Sequence, residues 1–138
     1  MFAKKNGYCK KRHSCFLLQY HLVLVTKCRK PVIHDEIKYC LYSKIYGIFR
    51  DRGLNILEVN GEVDHVHILF EADPFTAPGE LASVVKTQTS RFVRKAYGDT
   101  LLKEYYWKPF FWSDSYFITT VSENSLDAVQ RYIRNQPG

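Results

Sequence analysis

The segment DHVHILFE, which contains His65 and His67, constrains the fold of this chain more than any other. Side chains along a β-strand alternate between the two faces of a sheet, so Val66, Ile68 and Phe70 share one face. The two histidines share the opposite face, about 6 to 7 Å apart. Such a strand belongs in a sheet that helices cover on its apolar face, with the histidines on the open face.

The periodicity of the remaining chain predicts six further elements around this strand. They are a strand at 16–26, a helix at 35–53, a strand at 54–64, a helix at 78–97, a strand at 115–122 and a helix at 125–136. The order β-α-β-β-α-β is typical of the α+β ferredoxin-like fold, an antiparallel sheet with two helices on one face. The last helix is additional. We expect a hairpin turn near Asn60, Gly61 or Asp64, and an apolar side of the second helix made by Leu81, Val85, Phe92 and Ala96.

Length and composition limit the classes of protein that this chain can belong to. Its 138 residues fit a single domain spanning 1–138, and the net charge is +6. Residues 1–34 contain eight basic residues and no acidic one, which indicates either a polyanion partner such as nucleic acid or a solvated, disordered tail. The four cysteines form no CxxC pair and no long apolar run is present, so we expect a reduced, cytoplasmic protein without a membrane segment.

The paired histidines suit a divalent metal ion, which then needs a third ligand from elsewhere in the chain. The final helix offers Tyr132 and Gln136, which are four residues apart and therefore one turn apart on the same side. Tyrosine is a nucleophile and glutamine is a neutral oxygen ligand. Both would approach the open face of the sheet if the apolar stripe of that helix docks there; the stripe consists of Leu126, Val129 and Ile133.

Ten tyrosines compete for the role of nucleophile. Requiring a residue that can bind metal one turn away leaves Tyr39, with Asp35, as the rival of Tyr132. The helix that carries Tyr39 is predicted to cover the other face of the sheet. Tyr132 is therefore the better candidate.

With these features the chain resembles the single-tyrosine HUH transposases of insertion sequences that move as single-stranded DNA. The resemblance extends over nearly the whole chain, from YHLVLVTKCRKPVI through DHVHILF and VVKTQTSRFVRK to WSDSYFITTVSENSLDAVQRYIRNQ. Its most specific part combines His-hydrophobic-His with a downstream Tyr-x-x-x-Gln.

The resemblance implies roles for four residues. His65 and His67 correspond to the metal ligands of the HUH motif, and Gln136 to the third ligand. Tyr132 corresponds to the nucleophile that becomes joined to a DNA 5′ phosphate. The resemblance also implies a homodimer, in which the tyrosine helix of one subunit can complete the site of the other, and a DNA partner with hairpins near the ends of the element.

The implied chemistry is physically reasonable. A phenol with an ordinary pKa of about 10 is a poor nucleophile at neutral pH, so the site must stabilise the developing phenolate and polarise the phosphate. Two imidazoles and one amide leave the full charge of the ion available to the phosphate. Oxygen ligands and phosphate suit Mg²⁺ or Mn²⁺, and imidazole favours Mn²⁺.

Basic residues near the first strand and on the second helix are candidates for contacts with DNA phosphates. They are Lys27, Arg29, Lys30, Lys86, Arg91, Arg94 and Lys95. The aromatic segment 105–117 can form core, dimer interface or a surface on which unpaired bases stack, and its composition does not decide between them.

Two other functions compete with the transposase interpretation. A non-enzymatic nucleic-acid-binding module with an RNA-recognition fold would carry aromatic residues at the centre of the third strand, where this chain has histidines. A metal-dependent nuclease that uses water would not need Tyr132. A covalent protein-DNA adduct would separate all three.

Overall fold

The computed structural model describes residues 3–5, 8–11 and 14–136. Within these ranges the strands form two antiparallel sheets, accompanied by three α-helices. The strands are β1 (Ala3–Lys5), β2 (Tyr8–Lys11), β3 (Ser14–Phe16), β4 (Leu18–Val25), β5 (Asn55–Glu62), β6 (His65–Ala72) and β7 (Phe117–Thr120). The helices are α1 (Asp35–Asp51), α2 (Pro78–Tyr97) and α3 (Ser125–Asn135). In this described part of the chain, no helix has both the length and the apolar character needed to cross a membrane.

The larger sheet has the strand order β5-β6-β4-β7, and every neighbouring pair is antiparallel. In chain order its elements run β4, α1, β5, β6, α2 and β7, and α3 follows. The predicted α+β class, with a four-stranded antiparallel sheet and an additional C-terminal helix, is confirmed.

Three predicted strands have different bounds in the structure, and the one predicted at 54–64 runs only from Asn55 to Glu62. The strand predicted at 16–26 is divided at Leu17, because Phe16 ends β3 and Leu18 begins β4. The last strand is shorter than the predicted 115–122. The carbonyl of Ser115 accepts a hydrogen bond from Lys86 Nζ at 3.3 Å, so it is bound by α2 rather than by a neighbouring strand.

The small sheet formed by β1, β2 and β3 has no counterpart in the prediction. Its strands are three or four residues long, and two of them, β1 and β2, contain lysines. The alternation that marks a half-buried strand cannot be recognised over so few residues. The described parts of the basic N-terminus form paired strands. The charge pattern alone is equally consistent with a solvated tail.

Helices α1 and α2 cover one face of the larger sheet. The apolar side chains of β6 point into this layer, as predicted, and so do Leu22 and Leu24 of β4. The buried side of α2 differs from the predicted one, because Phe92 is exposed and Val93 is buried. Thr89 completes that buried side, where its hydroxyl donates to the carbonyl of Val85 at 2.6 Å and so remains hydrogen-bonded.

Helix α3 packs on the opposite face of the larger sheet, the face left open by α1 and α2. Val129 joins Val23 and Val25 of β4 in a second small core. Phe117, Tyr132 and Ile133 are partly buried against it. Leu126, which was expected in the docked stripe, is 58% exposed, because the buried position one turn before Val129 is taken by Ser125.

The aromatic segment 105–117 is mostly core. Tyr106, Phe111 and Trp112 are buried with the α1 and α2 layer. The hydroxyl of Tyr106 donates to the carbonyl of Lys27 at 2.8 Å, and burial raises its pKa. Trp107 is the exception and is 82% exposed.

Candidate active site

The two histidines lie at the start of β6, next to the turn from β5. Glu62 pairs with His65 across this hairpin, so Val63 and Asp64 form a two-residue turn. Gly61 has a φ of 153°, and a Cβ atom there would lie 2.3 Å from the carbonyl oxygen of His65. Only glycine allows this close approach of β5 to the start of β6.

Asp64 determines the tautomer of His65. Its Oδ1 lies 2.9 Å from Nδ1 of His65, while Arg29 Nε donates to its Oδ2 at 3.1 Å. Burial opposes ionisation of Asp64, but the hydrogen bonds from His65 and Arg29 and the charge of Arg29 outweigh it and lower the pKa. An ionised carboxylate accepts only, so the neutral tautomer of His65 that fits this contact carries its proton on Nδ1 and presents a lone pair on Nε2.

Asn60 does the same for His67. The amide nitrogen of Asn60 donates to Glu58 Oε1 at 2.6 Å, which leaves its oxygen to accept from Nδ1 of His67 at 3.3 Å. His67 therefore also presents a lone pair on Nε2. Metal-binding histidines are held in this way by outer acceptors on the other ring nitrogen.

His21 of β4 completes this cluster and was missed in the sequence. It is 3% exposed, its ring stacks on that of His67 at 4.9 Å between centroids, and its Nδ1 lies 2.7 Å from Nε2 of His67. Its other nitrogen lies 3.2 Å from the hydroxyl of Ser125 at the start of α3. One feature of the sequence could have indicated this position. His21 is two residues from Val23 in the same strand, so both side chains lie on the same face of the sheet, the face that carries His67 once β4 pairs with β6.

Burial keeps this pair of imidazoles neutral. Desolvation lowers the pKa of His21, with a smaller opposing effect of Glu58. Desolvation also lowers the pKa of His67, followed by the effect of the neighbouring His21. Neutral imidazoles are the form that binds metal ions.

Tyr132 lies in α3 on the side of β4 away from β6. Its ring stacks on Phe117 of β7 at 5.1 Å between centroids, and its hydroxyl is 2.7 Å from that of Ser115. Phe117 and His67 both pair with Val23, so they lie two strands apart. The ring is partly buried against Val23, Val25 and Val129, and its hydroxyl is hydrogen-bonded to Ser115 rather than to either histidine.

Gln136 follows directly on α3. Its backbone N–H donates to the carbonyl of Tyr132 at 3.0 Å. Gln136 lines a shallow groove together with Tyr132, Arg131 and Phe117. The predicted nucleophile and the predicted third ligand therefore share one surface.

Arg29 connects the end of α3 to the histidine cluster. Its guanidinium donates to the carbonyls of Ile133 and of Gln136, the latter at 3.0 Å, and forms an ion pair with Asp64 at 3.0 Å. The C-terminal end of α3 is thus linked to His65 through Arg29 and Asp64. Its N-terminal end is linked to His67 through Ser125 and His21. This guanidinium, expected to contact phosphate, is engaged within the protein.

The other predicted phosphate contacts fall into two groups. Lys27 and Lys86 are bound internally, Lys27 to Asp114 at 3.5 Å and Lys86 to the carbonyl of Ser113 at 2.7 Å. Burial lowers the pKa of Lys86. The second group is more accessible and consists of the exposed Lys30, Arg91 and Lys95 and the half-buried Arg94.

Arg91 and Arg94 line a groove between α2 and the aromatic segment, here called the α2 groove. Its volume is about 430 Å³, and its far wall includes Pro109 and Phe110. The Nε of Arg94 donates to Ser90 at 3.1 Å, which leaves the rest of its guanidinium for other partners.

The donor set fits a divalent metal ion. In the described residues, ligand atoms of Glu62, Asp64 and His65 lie within 4.8 Å of one another. Both oxygens of Asp64 already serve His65 and Arg29, so we assign this carboxylate an outer role. The Nε2 lone pairs of His65 and His67 are suitable ligands. That of His67 accepts from His21 in this structure and would exchange this partner for the ion.

We expect the Arg29→Ala protein to have a loosened α3. The change removes the charged hydrogen bonds that hold the last turn, each worth about 1.5 to 3 kcal/mol, so the amides of α3 should exchange with solvent at least about tenfold faster. Hydrogen exchange followed by mass spectrometry measures this. Arg134→Ala, on the exposed side of α3, is the matched control and should exchange as the unmodified chain does. Equal protection of α3 in both variants would contradict the role of Arg29.

Comparison with known proteins identifies the family of this chain. Residues 14–136 match the family described as "Transposase IS200 like". The chain is 34% identical to the ISDra2 transposase TnpA of Deinococcus radiodurans over 127 residues, which cover 92% of this chain and 89% of that protein. It is 27% identical to the transposase for insertion sequence element IS200 of Salmonella typhimurium over 124 residues, covering 90% and 80%.

Two solved structures are similar to this one. A crystal structure of a transposase from Deinococcus radiodurans R1 superposes with a TM-score of 0.83 at 31% identity, covering 92% of this chain and 96% of that one. A REP-associated tyrosine transposase bound to a REP hairpin has the same fold, with a TM-score of 0.58 at 11% identity, covering 94% and 75%. The fold and the family match define a transposase. The chain belongs to the IS200-like transposase family, and its activity is DNA transposition.

Proposed function

We propose that this transposase cleaves and rejoins single-stranded DNA at the ends of an insertion sequence, through a covalent 5′-phosphotyrosine at Tyr132. One observation carries the proposal: the helix that bears Tyr132 packs on the same face of the sheet on which His65 and His67 present their Nε2 lone pairs. Incubation with a labelled single-stranded element end and Mg²⁺ or Mn²⁺ tests it. An adduct that survives denaturing electrophoresis is the expected result.

His65, His67 and Gln136 would hold the metal ion. When bound, Mg²⁺ or Mn²⁺ supplies positive charge that polarises the scissile phosphate. The chain contributes neutral donors, whose orientation Asp64 and Asn60 maintain, so none of that charge is cancelled by the ligands.

The phenol of Tyr132 releases its proton to solvent as its oxygen attacks the phosphorus, and the bond between the phosphorus and the 3′ oxygen breaks. The 3′ oxygen takes up a proton and leaves as a hydroxyl, while the 5′ phosphate remains joined to the tyrosine. Ser115, at 2.7 Å from the phenol, orients its hydroxyl before reaction. Rejoining reverses the step when a 3′ hydroxyl attacks the phosphotyrosine, so no ATP is required.

The α2 groove is proposed to hold the DNA. The cations that remain available there, Arg91 and Arg94, suit phosphate oxygens, and exposed Lys95 and Lys30 extend the basic surface. Lys27, Arg29 and Lys86 take internal contacts, and we infer that they shape this surface more than they contact phosphate directly. The REP-associated transposase of the same fold is bound to a hairpin, which supports a hairpin as the DNA partner here.

We expect binding to a single-stranded oligonucleotide with a hairpin to be tighter than binding to a plain duplex, and to weaken as salt rises. Replacing both Arg91 and Arg94 by Gln should lower the slope of log affinity against log salt by about 1 to 2, since each lost phosphate contact removes roughly 0.7 to 0.9. The double change of Arg50 and Arg52 to Gln, at the end of α1, is the control. An unchanged slope, or equal affinity for the plain duplex, would contradict the proposed DNA surface.

A homodimer in the cytoplasm completes the proposal. The phenol of Tyr132 is bonded to Ser115 rather than to a histidine, which is compatible with an α3 that serves the site of a second subunit. The free thiols of Cys28 and Cys40 suit a reducing compartment. Sedimentation equilibrium measures the predicted dimer directly.

A further inference from the structure

Trp107 differs from the other large aromatic residues around it. Trp112, five residues later, is buried and donates from its indole nitrogen to Thr89 at 2.9 Å. Trp107 is 82% exposed. A tryptophan ring is one of the largest apolar surfaces that a side chain can offer, so leaving it in water forfeits the stabilisation that burial would supply. Packing of the core therefore does not account for it.

The surroundings of Trp107 are cationic and partly aromatic. The residue lines a cavity of about 610 Å³ together with Arg94, Lys103 and Lys108. The ammonium of Lys108 lies 4.5 Å from the centroid of the indole, and the ring of Phe110 meets it edge-on at 6.3 Å. Asp99 is the acidic residue of this lining. A flat ring is thus held at the rim of a basic cavity.

This cavity continues into the α2 groove. Arg94, Pro109 and Phe110 line both. A strand of DNA whose phosphates follow Arg91 and Arg94 would therefore bring a neighbouring nucleotide to Trp107.

The chemistry of the lining distinguishes a nucleic acid from a protein partner. Lysine is depleted at protein-protein interfaces, whereas Lys103 and Lys108 line this cavity together with Arg94. Unpaired nucleotides combine a negative phosphate with a flat ring that stacks on aromatic side chains. A basic cavity with an exposed indole matches that combination.

We propose that Trp107 stacks against an unpaired base of the DNA, next to the segment held in the α2 groove. The inference rests on the proposed function in one respect, namely that single-stranded DNA is the substrate. The proposed contact joins one side chain to one unpaired base. Contacts with phosphates alone would not distinguish an unpaired base from a paired one.

Fluorescence and affinity test the proposal with a hairpin oligonucleotide that carries unpaired flanks. The chain has two tryptophans, and the buried Trp112 also lines the α2 groove, so the part of the quenching of indole emission that disappears in Trp107→Ala reports on Trp107. Trp107→Ala should lose part of the quenching and about tenfold in affinity, the usual effect of removing one stacked base, whereas Trp107→Phe should retain most of the affinity. Tyr39→Ala, an 83% exposed aromatic residue on α1, is the matched control and should bind as before.

A second oligonucleotide, with abasic sites in its flanks, separates stacking from charge. The unmodified protein should bind it about as weakly as Trp107→Ala binds the normal strand. Equal affinity of the unmodified protein for normal and abasic flanks would overturn the proposal, even if the Tyr132 adduct still forms. A change of oligomeric state in Trp107→Ala without a change in DNA affinity would overturn it as well. Absence of any single-strand binding by the unmodified protein would instead refute the proposed function itself.

Discussion

The Tyr132→Phe protein is expected to form no covalent adduct with single-stranded DNA and to release no 3′ end. Phenylalanine preserves the ring that stacks on Phe117 but lacks the oxygen that would attack the phosphate. The lost hydrogen bond to Ser115 costs roughly 0.5 to 1.5 kcal/mol, so the variant should still fold. Denaturing electrophoresis of labelled DNA measures the adduct, and the same preparations should bind metal and hairpin normally.

Tyr39→Phe is the matched control for this experiment. Tyr39 lies on α1, whose buried side packs on the face of the sheet away from the histidines, so its hydroxyl is remote from the site. The control should form as much adduct as the unmodified protein. An adduct in Tyr132→Phe would mean that another residue is the nucleophile. Cleavage without an adduct in the unmodified protein would mean that water attacks, as in a metal-dependent nuclease.

The second large loss of activity is expected when His65 or His67 is replaced. Replacing His65 or His67 by Ala removes one of the Nε2 donors, and metal-dependent cleavage should fall by on the order of 100-fold or more, since losing even an outer-shell partner typically costs 10- to 100-fold. Binding of Mn²⁺, followed by its electron paramagnetic resonance signal, should weaken in parallel. Hairpin binding should change little, because the α2 groove lies elsewhere.

His34→Ala controls for the loss of an imidazole as such. His34 precedes α1 and its ring contacts Asp35, so it is separate from the cluster on β6. Mn²⁺ affinity and cleavage should match those of the unmodified protein. Full cleavage by a protein that lacks both His65 and His67 would exclude the proposed ligands, whatever the behaviour of Tyr132.

Several features of the fold could be predicted because they depend on local patterns. The histidines of β6 share the face opposite its apolar side chains, and the elements follow in the predicted order around the larger sheet. The stripe on α3 was predicted with one error, since Ser125 and not Leu126 is buried. A hydrophobic pattern does not anticipate a buried serine whose hydroxyl interacts with His21 and with the backbone of Ser122.

The role of Arg29 shows a second limit of the sequence. Arg29 lies close to Lys27 and Lys30 in the sequence, and such a cluster of basic residues predicts a surface that binds phosphate. The sequence shows these charges but not the partners that they have in the folded chain. In the structure the guanidinium lies between Asp64 and the end of α3, residues that are 35 and more than 100 positions away. Besides Asp64, its partners are backbone carbonyl oxygens at the end of α3. Every residue has such a carbonyl, so the residue types do not reveal this contact.

The sequence by itself determined which side chains share a face, because alternation along a strand and the spacing of a helical turn depend only on the local backbone. It therefore identified His65, His67, Tyr132 and Gln136 as candidates. Only the tertiary structure decided what these residues contact. The pairing of β4 with β6 puts His21 against His67 across 46 positions, and the docking of α3 puts the phenol beside Ser115. Strand pairing and helix docking are set by packing of the whole chain, so no local pattern contains them.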